Sequence, residues 1–535
     1  MSASQQKRLR KQQREDGTDK RLVAQKKEEK KKKRSKITKT IVGVVAAILV
    51  IALIAINSSL FYSNFTAVKI GDIEYTAAEY NFFYNSIIQQ ELYANNQLWS
   101  MMGLDVSKPL DKQEYMEGKT WADFFKETAL EQMKEITALY SEAQKAGFTL
   151  SDEDKDSLIS IQENLKTSHK GSNFLSANSY LAATYGKGCN VKVISGIIEK
   201  EQIARAYEAE MNKSFTYTDN EIKAYYADNK DTLDNFTYLS YLASTPAPES
   251  DTETDGSSNN ASASSATDIE ESEDKASADA AKSSDDVSSD ESKTDAMAKA
   301  KTLANSIIAD AETADEFKRA VLDNTQEEIS ENTVAGGSLN AAFADWLKDA
   351  SRTPGDKTVI ETDNGCYALF FISRDDNNYR TANVRHILTY VDADESGNYT
   401  DEAKAEAKKK SEDLLNEWKS GDATEESFAK LADENSDDPG SNTNGGLYEN
   451  VYKGAMVPEF DAWCFEKGRK PGDTGIVYNE GKYYGYHVIY YVGEGMLCSD
   501  KLAEDALRGK DFSDWKTSVL KNYEATTGFT AVFVK

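Results

Sequence analysis

NGGLYENVYKGAMVPEFDAWCF, residues 444–465, is the stretch of sequence that decides the fold of this 535-residue chain. VRHILTY (384–390) and FAKLADENSDD (428–438) precede it, and PGDTGIV (471–477) and YYGYHVIYYV (483–492) follow it. VRHILTY and YYGYHVIYYV are rich in β-branched and aromatic residues, which is typical of strands. FAKLADEN has its apolar residues at helical spacing. Strands and helices are therefore mixed within one short region.

The order of the elements in this region predicts its fold class. We expect a strand at 384–391, helices at 401–420 and 424–434, a glycine-rich loop, a helix at 459–467 and a strand pair at 475–492. This order is typical of an α+β domain.

An internal repeat predicts a second copy of this domain directly upstream, because residues 343–372 match residues 460–492. The aligned pairs are Phe343 with Phe460, Trp346 with Trp463, and Pro354-Gly355-Asp356 with Pro471-Gly472-Asp473. We therefore predict two tandem domains, copy one at 231–380 and copy two at 381–495.

Copy two resembles the parvulin family of peptidyl-prolyl cis-trans isomerases, because the five quoted motifs follow that family's order and spacing. The resemblance implies isomerisation of X-Pro bonds, with no metal and no cofactor. It also implies six site residues: His386, Asp438 and His487 as catalytic polar groups, and Leu447, Met456 and Phe460 as the substrate pocket.

The residues by themselves leave other roles open. Apolar residues on a helix, such as Met456 and Phe460, are core by default. A buried His386–His487 pair can simply hold the sheet together, and Asp438 can serve as a turn residue before the Pro-Gly that follows it. A metal site of two histidines and one carboxylate is geometrically conceivable, but the resemblance implies none.

Copy one lacks the features on which the resemblance of copy two depends. Its first strand, at 236–244, contains no histidine, and Tyr367 stands where His487 stands in copy two. The segment from Gly337 to Phe343 is shorter than the corresponding segment from Gly446 to Phe460. Copy one therefore lacks the residues that carry Met456 in copy two. We predict that copy one is a degenerate domain, acting as a spacer or a chaperone surface.

Residues 246–297 consist mainly of serine, alanine, aspartate and glutamate. Such a composition cannot bury enough apolar surface to order itself, which predicts a disordered acidic insert. The insert follows the first strand of copy one, where a surface loop tolerates extra chain.

Near the N-terminus, residues 41–56 (IVGVVAAILVIALIAI) are all apolar or small, and with their neighbours they approach the ~20 residues needed to cross a bilayer. The preceding flank at 26–39 is densely basic. By the positive-inside rule we expect a cytoplasmic arm at 1–36, a transmembrane signal anchor at 37–60 and all later residues outside. A cleavable signal peptide is the alternative, but no A-x-A site follows the apolar run.

Residues 66–230 are predicted to form a mostly helical, chaperone-like lobe. Apolar residues alternate at 66–75 around Gly71-Asp72, which favours a hairpin, and Thr76 with Glu79 predicts a capping box at the start of a helix. A longer helix is expected at about 120–146, with Gly147 ending it.

The outer region as a whole resembles the extracytoplasmic foldases of the PrsA and SurA kind. In such proteins the tail after the last parvulin domain packs back on the N-terminal lobe. The resemblance therefore implies that residues 496–535 do so here, with a closing strand in FTAVFVK (529–535).

Charge and cysteine content narrow the function further. The net charge of −28 argues against nucleic acid as a partner. The cysteines Cys189, Cys366, Cys464 and Cys498 form no CxxC pair, and we favour four buried free thiols over a disulfide among them.

Two functions remain in competition. The first is an isomerase and chaperone for unfolded or newly secreted polypeptides that contain X-Pro bonds, attached to the membrane through the N-terminal helix. The second is a membrane-tethered holdase that uses the parvulin fold only as a binding scaffold.

Overall fold

The computed structural model describes residues 3–18, 20–245, 286–309, 311–394, 396–481 and 484–535. Within helices, the side chains of residues 51–57 and of a few other residues are outside this description. The chain divides into two units: unit 1 comprises Met1–Thr216 with Arg508–Lys535, and unit 2 comprises Tyr217–Leu507.

The N-terminal part of unit 1 is mostly helical. Its helices are α1 (Ala3–Glu15), α2 (Lys20–Asn57), α3 (Ser59–Asn64), α4 (Ala77–Met101), α5 (Trp121–Ala146), α6 (Asp152–Thr167), α7 (Ala177–Tyr185) and α8 (Val191–Ser214). Its strands are β1 (Thr66–Ile70), β2 (Ile73–Thr76), β3 (Glu114–Met116) and β4 (Lys119–Thr120). Buried aromatic side chains from α4 and α5, such as Phe83 and Phe125, form the centre of its core.

Local sequence signals set the bounds of these elements as predicted. β1 and β2 pair as a hairpin around Gly71, which has a positive φ of 56°. A capping box of Thr76 and Glu79 starts α4, because each side chain accepts a hydrogen bond from the other residue's backbone N–H. Gly147, in the left-handed conformation, ends α5.

The lobe that we predicted at 66–230 ends earlier in the structure. The boundary between the units lies at Thr216, so the helix α9 (Asp219–Asp228) belongs to unit 2. Tyr226 explains this, because its hydroxyl lies within hydrogen-bond distance of two residues of unit 2, at 2.5 Å from Asp234 Oδ1 and 2.6 Å from the Asp376 carbonyl oxygen. The predicted boundary at residue 230 was therefore too late.

The first module of unit 2 is a four-stranded antiparallel sheet with helices on both faces. After the short helix α10 (Lys230–Leu233), its elements are β5 (Asn235–Ser244), α11 (Asp286–Ala309), α12 (Ala314–Thr325), β6 (Asn332–Ala335), α13 (Ala344–Lys348), β7 (Lys357–Thr362) and β8 (Gly365–Asp375). The strand order is β6-β5-β8-β7. Helices α11 and α12 cover one face, and α13 covers the other.

The predicted acidic insert falls in this module. Residues 246–285 lie outside the described residues, but residues 286–297 form the first half of α11, so the prediction of disorder was wrong for them. Later residues of α11 explain the helix, because Ala300, Ala304 and Ile307 are buried against the sheet. Once a packed segment has formed the helix, each further residue is added at the low cost of propagation rather than of nucleation.

The second module repeats the first. Its elements are β9 (Arg380–Tyr390), α14 (Asp401–Ser420), α15 (Glu425–Asn435), β10 (Leu447–Val451), α16 (Pro458–Cys464), β11 (Thr474–Asn479) and β12 (Gly485–Leu497). The strand order, β10-β9-β12-β11, is the order of the first module. The predicted helices and long strands are present, and β10 is an edge strand that we placed in the glycine-rich loop.

A shared side-chain contact supports the internal repeat. Arg352 stacks on the Trp346 ring at 4.2 Å, and Arg469 stacks on the Trp463 ring at 3.8 Å. Each arginine Nε also donates to the carbonyl oxygen of its tryptophan at 3.1 Å. The two modules therefore turn from α13 or α16 into the next strand in the same way.

The C-terminal tail returns to unit 1. After α17 (Cys498–Leu520), the strand β13 (Ala525–Thr527) pairs antiparallel with β1, with Thr527 opposite Val68. The strand that we expected in FTAVFVK was wrong, because Phe529–Phe533 is a 3-10 helix. The Gly528 N–H donates to the Ala67 carbonyl oxygen at 2.7 Å, and the backbone coils directly after this bond.

Two further predictions from the sequence concern the four cysteines and the apolar run near the N-terminus. All four cysteines are free and buried, as favoured. Among the described residues, no helix has the length and apolarity needed to cross a membrane. The side chains at 51–57, which form part of the predicted span, lie outside the described residues.

Candidate active site

His386 and His487 lie on the two central strands of the second module, β9 and β12. His386 is opposite Ile489 and His487 is opposite Leu388, so the two histidines are two positions apart and point to the same face of the sheet. Their Nδ1 atoms are 3.4 Å apart, and their rings stack at 14° with centroids 5.5 Å apart. Both side chains are about 95% buried.

Asp438 completes a row of three polar side chains. Its Oδ2 accepts hydrogen bonds from His386 Nε2 at 2.8 Å, from Ser441 Oγ at 2.6 Å and from the Tyr448 hydroxyl at 2.9 Å. The Gly440 N–H donates to Oδ1 at 3.1 Å. Asp438 therefore holds the turn at Gly440 and also contacts His386.

The hydrogen bond from His386 holds the pKa of the Asp438 carboxyl far below its usual range, against the opposing effect of burial. An ionised carboxylate can only accept, so His386 Nε2 carries a proton. In neutral His386 the Nδ1 atom is then an acceptor, and His487 Nδ1 is the donor of the contact between the rings. The row Asp438–His386–His487 thus orients both imidazoles through one hydrogen bond and one Nδ1–Nδ1 contact.

Phe460 provides the apolar floor of the site. It lies on α16, which begins with Pro458 at its first position, and its side chain is 1% exposed. Its ring meets the His386 and His487 rings edge to face, at centroid distances of 5.4 and 5.6 Å. An apolar surface and a polar row therefore adjoin.

A cavity of about 450 Å³ opens over this junction. Its lining residues are His386, Leu388, Asp438, Tyr448, Ala455, Met456, Val457, Phe460 and His487. A cavity of this size, mostly apolar with a few convergent polar groups, suits a small apolar ring attached to a polar backbone.

Five of the six predicted site residues line this cavity, and Leu447 is the one that does not. Leu447 is opposite Arg385 on β9, whereas Tyr448 is opposite Val384. Because successive strand residues point to opposite faces, Tyr448 takes the place that we expected for Leu447. From the sequence we did not identify Tyr448 and Ser441, which both donate hydrogen bonds to Asp438. For Tyr448 the available signal was the period-two pattern of LYENV (447–451), which places Tyr448 and Leu447 on opposite faces of the strand.

Comparison with known proteins agrees with this geometry. Residues 367–493 match the family model of the PPIC-type PPIASE domain. This chain carries a parvulin-type peptidyl-prolyl isomerase domain. The match begins in β8 and includes all six predicted site residues.

Two crystal structures of peptidylprolyl isomerase (PrsA) are similar to parts of the chain. The protein from Bacillus cereus is 22% identical over 28% of this chain and 50% of its own length, with a TM-score of 0.18. The protein from Bacillus anthracis is 18% identical over 43% of this chain and 86% of its own, also with a TM-score of 0.18. This chain thus matches half the length of the Bacillus cereus protein, and no curated protein gave a significant match.

The first module differs from the parvulin-type domain at the site itself. By strand register, Tyr367 is opposite Leu242, as His487 is opposite Leu388. In the same register Ser240 takes the position of His386. Phe343 is retained and meets Tyr367 edge to face at 5.1 Å. The first module therefore keeps the aromatic floor but has neither histidine.

Proposed function

We propose that this chain accelerates cis–trans isomerisation of X-Pro bonds in unfolded or newly secreted polypeptides. The observation that carries the proposal is the cavity in which the apolar floor at Phe460 adjoins the row Asp438–His386–His487. The reaction breaks no covalent bond, but amide resonance imposes a barrier of about 18–20 kcal/mol. A catalyst has only to bind the twisted amide better than the planar one.

The cavity residues can provide this preference in two ways. Phe460 and Met456 would hold the proline ring in an apolar seat, which fixes one side of the rotating bond. The other side of the bond can then turn against the fixed dipoles of His386 and His487. Because these groups are buried and already oriented by Asp438, they need no reorganisation as the amide twists.

We further propose that the chain is a single-pass membrane protein with its modules outside the cytoplasm and residues 1–36 inside. The support is the apolar run at 41–56 and the basic flank at 26–39. The valine, isoleucine and leucine side chains of this run from Ile41 to Val50 are each at least half exposed, and water is an unfavourable neighbour for such a surface.

The alternative function is a membrane-tethered holdase. Ser240 and Tyr367 favour it, because the first module retains the fold without the two histidines. In that case the cavity of the second module would bind extended chain without accelerating rotation.

Refolding of a protein limited by proline isomerisation separates the two functions. We would compare the parent chain with Phe460→Ala and, as a matched control, with Phe343→Ala, which removes the equivalent buried ring from the first module. The proposal expects acceleration by the parent and by Phe343→Ala but not by Phe460→Ala. Suppressed aggregation of the same substrate without any acceleration would favour the holdase.

A further inference from the structure

Two short segments of unit 1 that pack against each other expose four large apolar side chains, here named the docking patch: Leu60, Phe65, Phe529 and Val532. Their exposed fractions are 71%, 49%, 68% and 68%. The first two residues come from the segment that follows α2, and the last two come from the C-terminal tail. Exposed apolar side chains that cluster in this way mark an interaction surface more often than single ones do.

Aromatic contacts join the two halves of the patch. The Phe61 ring lies 5.2 Å from the Phe65 ring and 5.3 Å from the Phe533 ring, centroid to centroid. Phe529 is 6.5 Å from both Phe61 and Phe65. The exposed rings of Phe65 and Phe529 therefore rest on the buried ring of Phe61.

Backbone pairing also fixes the position of the patch. β13 pairs with β1 directly before Phe529, and Thr530 Oγ1 donates to the Thr66 carbonyl oxygen at 2.6 Å. Thr530 is fully buried. The 3-10 turn that carries Phe529 and Val532 is thus held against the segment that carries Phe65, which makes the patch a fixed surface of the folded unit.

The position of the patch along the chain indicates what covers it. Only Ser58 separates α2 from α3, and Leu60 follows Ile56, the last residue of the apolar run, by four positions. Four residues span at most about 14 Å when fully extended. If the run at 41–56 crosses a bilayer, Leu60 lies at the bilayer surface. Phenylalanine and leucine side chains are also those that interfacial segments place between headgroups and acyl chains.

We propose that the docking patch inserts into the outer headgroup region of the bilayer and seats unit 1 on the lipid surface. This inference rests on the membrane anchor proposed above. It adds that the folded unit is held against the membrane by its own surface, rather than only tethered to it by the chain.

Labelling of the full chain in lipid vesicles tests this. The four native cysteines are buried, so Val532→Cys provides a single reactive thiol for the fluorophore NBD. Leu175→Cys is the matched control, because Leu175 is 98% exposed in the same unit. Leu175 lies before the start of α7. The end of α7 is the end that leads toward the docking patch, because the segment after it reaches Gly188, which lies against Tyr62. The vesicles contain phosphatidylcholine and phosphatidylglycerol, with or without spin-labelled acyl chains.

The proposal expects the chain to float with the vesicles and the label at 532 to lose roughly half of its fluorescence to spin-labelled lipid, because interfacial apolar groups lie about 5–10 Å into the headgroup–acyl boundary. The label at 175 stays unquenched, and adding Phe529→Ser to Val532→Cys reduces the quenching. Flotation with no quenching at 532 would overturn the docking patch and leave the anchor standing. A change at 532 that depends on protein concentration but not on lipid would identify a second copy as the occupant and overturn the proposal. Failure to float would overturn anchor and patch together.

Discussion

Replacement of Asp438 by asparagine tests the electrostatic account of the site. Asp438→Asn keeps the shape of the side chain but removes the negative charge on which His386, Ser441 and Tyr448 converge. Hydrogen bonds to a charged group contribute about 1.5–3 kcal/mol each, and the uncharged carbonyl oxygen of asparagine can accept only two of the three, each more weakly. We therefore expect the second module to lose roughly 3 kcal/mol of stability at pH 7.

The loss should depend on pH with a definite sign. Because the pKa of Asp438 is lowered in the folded state, its contribution is complete above the ordinary aspartate value of about 3.9 and falls as the pH drops below that value. Asparagine does not titrate. The difference in stability between parent and variant should therefore shrink by about 1 kcal/mol between pH 5 and pH 3.

Buried cysteines allow each module to be followed separately. Cys464 lies in the second module and Cys366 in the first, and both are free and buried. The urea dependence of their reaction with a pyridyl disulfide, resolved by mass spectrometry, gives one unfolding curve for each module. We expect Asp438→Asn to shift the curve of Cys464 and to leave that of Cys366 nearly unchanged. An equal shift of both curves, or a difference between parent and variant that does not vary with pH, would refute the reasoning.

Two further substitutions test the shell around the site. Tyr448→Phe removes one donor to Asp438 while keeping the ring in the cavity, so the second module should lose about 1.5–3 kcal/mol of stability and isomerisation should slow by roughly tenfold or less, as thermal unfolding beside an isomerase assay would measure. Gly446→Ala should lower the stability of the second module by more than about 2 kcal/mol in the cysteine assay, because Gly446 has a φ of +71° and an added Cβ would lie 2.3 Å from the His386 carbonyl oxygen. Unchanged stability of Gly446→Ala would contradict the tight packing of this loop against β9.

The sequence was sufficient to predict the parts of the fold that repeat or alternate over many residues. The motif order around His386 and His487 predicted two adjacent strands, and the Phe343–Phe460 alignment predicted two modules with one sheet order. Capping residues such as Thr76 predicted where helices start, because the cap is a local interaction.

The predictions that were wrong concern segments whose structure depends on tertiary contacts. β10 is a five-residue edge strand that pairs with β9, and without it we assigned Leu447 rather than Tyr448 to the cavity. The tail FTAVFVK has strand-like composition, but the β1 ladder ends at Thr527. Residues 286–297 are helical because the residues after them are packed. None of these contacts can be read from local composition.

The most direct test of the central claim is exchange NMR on a short peptide with a single X-Pro bond, in the presence of the full chain. No folding or aggregation step enters this measurement. The account predicts cis–trans exchange peaks with the parent, and similar peaks with Phe343→Ala. With Phe460→Ala it predicts exchange slower by roughly 30-fold, since about 2 kcal/mol of apolar contact is lost. Absence of exchange with the parent, or undiminished exchange with Phe460→Ala, would contradict the account.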